Sequence, residues 1–198
     1  MPSERKRVWS LGRQIPGNLI PVLLSFPLLG LSVQEIVRFG VTPKGILLGL
    51  AFFVVGWMGV NFLGLFGNRG LRHAIEMRFK DEYEYDKSER FFAGFSRPGK
   101  YGLLDPHEDL GFLVFRDEEL EFFGEVHHVS LPYSAIKGVG KRANIHSLLG
   151  LGGWVAVDAE VGGKLVRLQV EPRVKATHWG NSRLRKEWIS KIAEKIVR

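Results

Sequence analysis

The chain has 198 residues, of which 25% are charged, and its 28 Lys and Arg against 21 Asp and Glu give a formal net charge of +7. It contains no cysteine, which excludes a disulfide framework, a thiolate zinc site and a thiol nucleophile. The basic excess is spread over several segments without an interleaved aromatic platform, so we expect no nucleic acid among its partners.

Two uncharged stretches near the N-terminus predict a transmembrane helical hairpin. They cover residues 14–34 and 45–68, and as helices they would be about 30 Å and 36 Å long, enough to cross the hydrocarbon core of a bilayer. Pro16, Pro21 and Pro27 interrupt the first stretch, so we expect a broken or tilted span, with a re-entrant segment as the alternative. These prolines also disfavour a cleaved signal peptide.

The basic residues beside the two stretches predict the orientation of the hairpin. They are Arg5, Lys6, Arg7 and Arg13 before the first stretch, Arg38 and Lys44 between the two, and Arg69, Arg72, Arg78 and Lys80 after the second. Because positive residues favour the cytoplasmic side, both termini are expected in the cytoplasm, with residues 1–13 as a basic cytoplasmic segment. The chain is thus predicted to be an integral protein whose main partner is the lipid bilayer.

Small and polar residues in the second stretch predict how it packs. Gly45, Gly49 and Gly56 have a spacing that lets two helices approach closely, and the expected partner is the first stretch of the same chain. Asn61 is the one amide well inside the second stretch, and we expect it to bond to the first helix or to lie near the headgroups.

A connector helix is predicted over residues 69–89. Leu71, Ile75, Phe79 and Tyr83 recur every four residues and form one apolar stripe. The stripe is compatible with a helix at the membrane surface and with a helix packed on the following domain; a plain solvated linker helix is the third alternative.

Alternation of apolar and polar residues predicts a domain of six or seven antiparallel strands over residues 90–198. The expected strands cover residues 91–95, 111–116, 119–124, 127–131 and 135–141, followed by two strands around 155–159 and 166–170 that are joined by the glycine pair at 162–163. An amphipathic helix over 182–197 closes the chain, with Asn181 or Ser182 as its N-cap and Trp188 on its apolar face.

This order of strands and closing helix, the turn positions and Trp188 resemble the pleckstrin-homology (PH) superfamily. The closest resemblance is to bacterial PH-like and GRAM-like domains that follow a membrane hairpin. It implies an α+β fold, in which the transmembrane hairpin precedes a PH-like antiparallel β-barrel or sandwich of six or seven strands capped by the C-terminal α-helix. It also implies a bacterial cytoplasmic membrane as the location.

Basic residues of this domain are the candidate ligand contacts. Arg97 and Lys100 follow the first predicted strand, and Lys137, Lys141 and Arg142 cluster near the end of a later one. On a domain tethered near a bilayer, such residues can contact anionic lipid headgroups or a protein partner. The alternative is that these residues form an ordinary solvated surface without a ligand.

The sequence predicts no catalytic residue, no cofactor and no metal site. Asp105, His107, Glu108 and Asp109 form the densest set of potential metal ligands. However, they match no EF-hand or His-Glu-x-x-His spacing, so a solvated loop is favoured over a metal-dependent enzyme. Their charges also argue against a strong inositol-phosphate site in the loop over residues 96–109.

Two further histidines and a leucine-rich loop complete the candidates. His146 and His178 lie in predicted loops and have no partner that the sequence identifies. Leu148, Leu149 and Leu151 are apolar for a loop; burial in the domain is the expected state, and insertion into a membrane interface is the alternative.

The predicted function is that of a membrane-anchored PH-like binding or scaffolding module on the cytoplasmic face, without catalysis. The alternative is an accessory subunit of a membrane complex that acts through its hairpin, with an unidentified protein partner.

Overall fold

The computed structural model describes residues 7–10, 19–20, 22–79, 89–99 and 105–197. Within them, helices precede a single antiparallel sheet, and a C-terminal helix follows it, so the architecture is α+β as predicted. The helices are α1 (Phe26–Phe39), α2 (Pro43–Leu63), α3 (Asn68–Arg78) and α4 (His178–Ile196). The strands are β1 (Glu89–Ser96), β2 (Asp109–Phe115), β3 (Glu119–Gly124), β4 (His128–Pro132), β5 (Ile136–Arg142), β6 (Trp154–Val161) and β7 (Lys164–Pro172). Two 3-10 turns, η1 (Tyr133–Ala135) and η2 (Ile145–Leu149), lie beside β5.

One helical stretch in the described part of the chain, Pro43–Arg78, is long and apolar enough to cross a membrane by length and composition alone. It comprises α2, a turn and α3. Only 11% of its most apolar segment is buried inside the protein, so most of the apolar surface of α2 faces outward.

Helices α1 and α2 form a close antiparallel pair. A Cβ added to Gly49 would lie 3.3 Å from Ser32 Oγ, and one added to Gly56 would lie 3.2 Å from Ser25 Oγ. Ser32 Oγ also donates a hydrogen bond to Gly45 O at 2.7 Å. The three glycines therefore contact the first helix of the same chain, as their spacing predicts.

The helix bounds differ from the two uncharged stretches. Helix α1 continues to Phe39 and includes Glu35, whose carboxylate accepts a hydrogen bond from Lys44 Nζ at 3.0 Å across the connecting loop. This ion pair at the tip of the hairpin lets the helix extend beyond the charge-free run. Helix α2 begins after Thr42, which caps it by accepting from Gly45 N, and ends at Leu63. Part of the first stretch, residues 14–18 and 21, lies outside the described residues.

The sheet has seven strands in the order β4-β3-β2-β1-β7-β6-β5, and every pair of neighbours is antiparallel. It is open, with β4 and β5 as its edge strands. Gly162 and Gly163 form the two-residue turn between β6 and β7, with φ angles of 58° and 74°. Positive φ at both positions is the condition for a type I′ hairpin, so this predicted turn is confirmed.

Residues from all seven strands and from α4 share one hydrophobic core, which means that the sheet curls around it. Helix α4 contributes Trp188 and Ile192, which are fully buried. The helix begins at His178, four residues earlier than predicted, because Thr177 has extended backbone and its hydroxyl accepts from Gly180 N at 3.0 Å. Asn181, one of the two predicted N-caps, bonds to the main chain of Lys175 instead.

A second hydrophobic cluster covers the outer face of β1 and β2. Leu71 and Ile75 of α3 pack there with Phe79 and Trp9. The connector helix therefore packs on the domain, and it ends at Arg78, eleven residues before the end of the predicted segment at residue 89. The predicted stripe residue Tyr83 lies outside the described residues.

Candidate functional site

A cluster of buried polar side chains lies at the end of β7, where the sheet meets η2 and the start of α4. We call it the buried histidine cluster; its members are Asp105, His107, His146, Glu171, Arg173, His178 and Arg185. Each is at most 9% exposed to solvent. Burying so many titratable groups is unfavourable unless they pair with one another, so their mutual contacts decide what the site can do.

Glu171 on β7 is the centre of the cluster. Its Oε1 accepts from Gly153 N at 3.0 Å, and its Oε2 accepts from Asn144 Nδ2 at 2.8 Å. His107 Nε2 lies 3.1 Å and His146 Nδ1 lies 3.6 Å from the same Oε2. Burial raises the pKa of Glu171, but the contacts with the two histidines outweigh it and hold the pKa well below its usual value.

His107 and Asp105 form a buried pair next to Glu171. His107 Nδ1 lies 2.6 Å from Asp105 Oδ1, which also accepts from His107 N at 2.8 Å. Burial raises the pKa of Asp105, but the attraction of His107 and Arg173 outweighs it and lowers the pKa to about 2. Burial lowers the pKa of His107, but the effect of the Asp105 carboxylate outweighs this lowering, so that the pKa is raised overall. The pair is therefore held in its ionised form.

His146 and His178 face each other with their ring centroids 4.5 Å apart. Both ring nitrogens of His146 and Nε2 of His178 are buried without a hydrogen-bond partner among the described residues. Leaving such an atom unsatisfied costs about 1–3 kcal/mol. Burial lowers the pKa of His178 to about 3, and the neighbouring His146 acts in the same direction, so the ring of His178 is neutral.

One ligand atom each from His146, Glu171 and His178 lies within 4.8 Å of the others, which is the arrangement of a candidate metal centre. Two glycines make room for it. A Cβ on Gly152 would lie 2.7 Å from Glu171 Oε1, and a Cβ on Gly94 would lie 2.6 Å from His107 Cγ. The cluster can form only because these two positions carry no side chain.

The segments that hold the cluster also contact helix α2. Trp57 Nε1 donates to Leu149 O of η2 at 3.0 Å, and Trp179 N at the start of α4 donates to Asn61 Oδ1 at 3.0 Å. The rings of Trp57 and Trp179 form an edge contact with centroids 6.4 Å apart. Among the described residues Asn61 therefore bonds to the domain and not to the first helix, whereas its predicted place near the headgroups stays a prediction.

A third contact joins the cluster to the start of α3. Arg173 Nε donates to Asn68 Oδ1 at 3.0 Å, and Asn68 Nδ2 donates back to the carbonyl oxygen of Arg173. The guanidinium of Arg173 lies 5.0 Å over the ring of Trp9 and 4.0 Å from Asp105 Oδ2. Arg173 thus connects the N-terminal segment, the helices and the sheet.

Apolar side chains are exposed where the domain meets α2. We call Leu148, Leu149 and Trp179 the apolar rim; Leu148 is 81% and Trp179 is 58% exposed. Leu151 of the same loop is buried, as expected for it. Leu148 and Leu149 do not follow the expectation of burial, since both side chains are exposed.

The predicted basic contacts lie at two places. Lys137, Lys141 and Arg142 are exposed on the edge strand β5, and Lys137 Nζ lies 3.4 Å from Glu160 Oε2. Arg97 follows β1 and its guanidinium pairs with Glu108 at 3.0 Å. The structure therefore brings three of the five residues together on one strand, while the predicted contact Lys100 lies outside the described residues.

The acidic loop before β2 does not assemble a single site. Asp105 and His107 enter the buried cluster, whereas Glu108 pairs with Arg97. Asp109 instead accepts from the main-chain nitrogens of residues 126 and 127, at 2.9 Å and 2.8 Å, and so shapes the turn between β3 and β4.

Comparison with models of known protein families and with curated proteins finds no match to this chain. The site is therefore interpreted from its own geometry. Sequence reasoning missed His146, Glu171 and His178 as a group, because they come from three separate segments. The available signal was Gly152 and Gly153, whose presence beside a buried strand indicates a close approach of other groups.

Proposed function

We propose that this chain is a membrane-anchored binding or scaffolding module without catalysis of its own. Its hairpin lies in the bilayer, and its seven-stranded, PH-like domain is held against the cytoplasmic surface. The observation that carries the proposal is the direct contact of α2 with the domain, through Trp57 to Leu149 and Asn61 to Trp179. These contacts place the apolar rim beside the helix that has the length and composition of a span.

The exposed surface of α2 supports a lipid environment. Leu47 and Phe53 are among its strongly exposed apolar side chains, and contiguous apolar surface of this kind is rare on a soluble monomer. Lipid chains cover such a surface without a partner protein, and Ser and Gly residues between α1 and α2 provide the close packing that is typical of membrane helices.

The position of Trp57 sets the depth of the domain. From Pro43 to Trp57 the helix rises about 21 Å, which is less than the hydrocarbon core of about 30 Å. With the hairpin tip at the far interface, the near interface lies beyond Trp57, so Leu148 and Trp179 reach into the bilayer. A tryptophan and leucines at this level are the side chains that interfaces favour.

Exposed lysines and arginines supply the polar part of the proposed surface. Lys137, Lys141 and Arg142 lie together on β5, the edge strand next to η2 in the chain. Each basic residue that reaches an anionic surface contributes about 1 kcal/mol. We propose that this strand contacts anionic headgroups, or a protein partner that pairs with the open sheet edge.

Site-specific labelling tests the proposal, because the chain has no native cysteine. Leu148→Cys and the control Leu165→Cys would each carry an environment-sensitive fluorophore in the full chain, reconstituted in vesicles. Leu165 is 83% exposed and Leu148 is 81% exposed, but Leu165 lies near the far end of β7, about 20 Å from Glu171.

We expect the label at position 148 to shift to the blue and to be quenched by lipids that carry a quencher on their acyl chains, while the label at 165 stays in water. Equal, water-like signals at both positions would refute the placement of the domain against the bilayer.

A further inference from the structure

We propose that His146, Glu171 and His178 bind one divalent transition-metal ion of the zinc class. The ion would join η2, β7 and the start of α4. This inference is independent of the proposed membrane anchoring, because it rests on the interior of the domain alone.

The donor set fits such an ion. Two imidazole nitrogens and one carboxylate oxygen are ligands that zinc accepts, and with three protein ligands a fourth position stays open. The three ligand atoms already lie within 4.8 Å of one another. Ligand distances of about 2.0–2.2 Å place tetrahedral ligand atoms about 3.4 Å apart, so small side-chain rotations complete the site.

Unsatisfied nitrogen atoms provide a second, independent observation. Nδ1 and Nε2 of His146 and Nε2 of His178 are buried and have no hydrogen-bond partner among the residues described. Both rings are more than nine-tenths buried. A buried polar atom without a partner calls for an explanation. A metal ion bound here would accept the lone pair of the imidazole nitrogen that carries no proton.

The groups around Glu171 hold it in a fixed orientation, as outer-shell partners of metal ligands do. Asn144 donates to Oε2 at 2.8 Å, and Gly153 N donates to Oε1 at 3.0 Å. Asn144 is also the N-cap of η2, where it accepts from Ser147 N. The residue that orients the carboxylate therefore also fixes the turn that carries His146.

Carboxylates lie beside both arginines that border the site. The guanidiniums of Arg173 and Arg185 are offset by the carboxylates of Asp105 and Glu171, to which they lie at 4.0 Å in each case. A neutral imidazole carries one nitrogen lone pair beside its N–H group, so His146 and His178 can each offer one lone pair to a metal ion.

The ion would stabilise the surface that meets α2. His146 lies three residues before Leu149, which accepts from Trp57, and His178 precedes Trp179, which donates to Asn61. The proposed ion would therefore link η2 and the start of α4, the two segments that contact α2, to Glu171 on β7.

Metal uptake by the full chain in detergent tests this inference. After stripping with a chelator, the chain would be loaded with Zn²⁺ or Co²⁺, desalted and analysed for bound metal and for the Co²⁺ absorption spectrum. The comparison is between the unaltered chain, His178→Ala and the control His128→Ala, since His128 is a largely exposed histidine on the edge strand β4.

We expect about one ion per chain in the unaltered protein and in the control, a Co²⁺ spectrum of a nitrogen- and oxygen-ligated site, and loss of both in His178→Ala. Zn²⁺ should raise the thermal midpoint of the unaltered chain and of His128→Ala but not that of His178→Ala. Should His178→Ala not fold, His146→Gln, which nearly keeps the side-chain volume, provides the same comparison. No saturable uptake by the unaltered chain, or equal uptake and equal spectra in the ligand variants, would overturn the inference.

Discussion

Replacing Arg173 with alanine should destabilise the protein by about 3–5 kcal/mol, because it removes one partner of a buried charged network. Arg173 is 4% exposed, donates to Asn68 at 3.0 Å and lies 4.0 Å from the Asp105 carboxylate. At an effective dielectric constant of 20, two charges at that distance attract by about 4 kcal/mol. The charge-assisted hydrogen bond adds about 1.5–3 kcal/mol, and the relieved desolvation of the guanidinium subtracts from the sum.

The assay is urea unfolding of the full chain in detergent, followed by tryptophan fluorescence. The matched control is Arg167→Ala, which removes an arginine paired with Asp158 at the surface, where we expect no resolvable loss. A loss below about 1 kcal/mol for Arg173→Ala, or equal losses for the two variants, would show that the contacts of Arg173 do not hold the helices to the sheet.

Three further predictions follow from the same geometry. The pKa of Asp105 is lowered to about 2, so the stability that this carboxylate contributes is present above its ordinary pKa of 3.8 and is lost as the pH falls from about 4 towards 2. Unfolding titrations at several pH values should show that Asp105→Asn reduces this acid-dependent loss of stability by about 2 kcal/mol. Gly152→Ala should lower the thermal midpoint and metal uptake because its Cβ meets Glu171, whereas Gly138→Ala, with open space around it, should do neither. A fragment of residues 68–198 should resist denaturant better than residues 90–198, because only the longer one keeps α3 on the sheet; equal stability would contradict the role of the outer cluster.

The sheet was accessible from the sequence because its signals are local. The alternation of apolar and polar residues places each strand within a few residues of its observed bounds. Gly162 and Gly163 indicate the turn between β6 and β7, because glycine readily adopts the positive φ that this turn requires. The start of α4 was predicted too late, since Asn181 and Ser182 are as good N-caps by residue type as Thr177. Only the extended backbone at Thr177 decides between them.

The buried histidine cluster could not be predicted from local sequence patterns in the same way. Glu171 reaches His107 because β7 pairs with β1 in a register that sets it opposite Gly94, and no local pattern specifies that register. His146 becomes part of the cluster through the 3-10 turn that Asn144 caps. Convergence of this kind depends on long-range pairing and on the absence of side chains at two glycines.

Extraction of native membranes tests the central claim of this account, that lipid surrounds helix α2. Membranes that contain the full chain would be washed with alkaline carbonate and then treated with mild detergent. We expect the chain to stay in the membrane pellet through the carbonate wash and to be released by detergent, because the exposed apolar side chains of α2 have no other cover among the described residues. Release of the folded chain into carbonate or into detergent-free buffer would contradict the account.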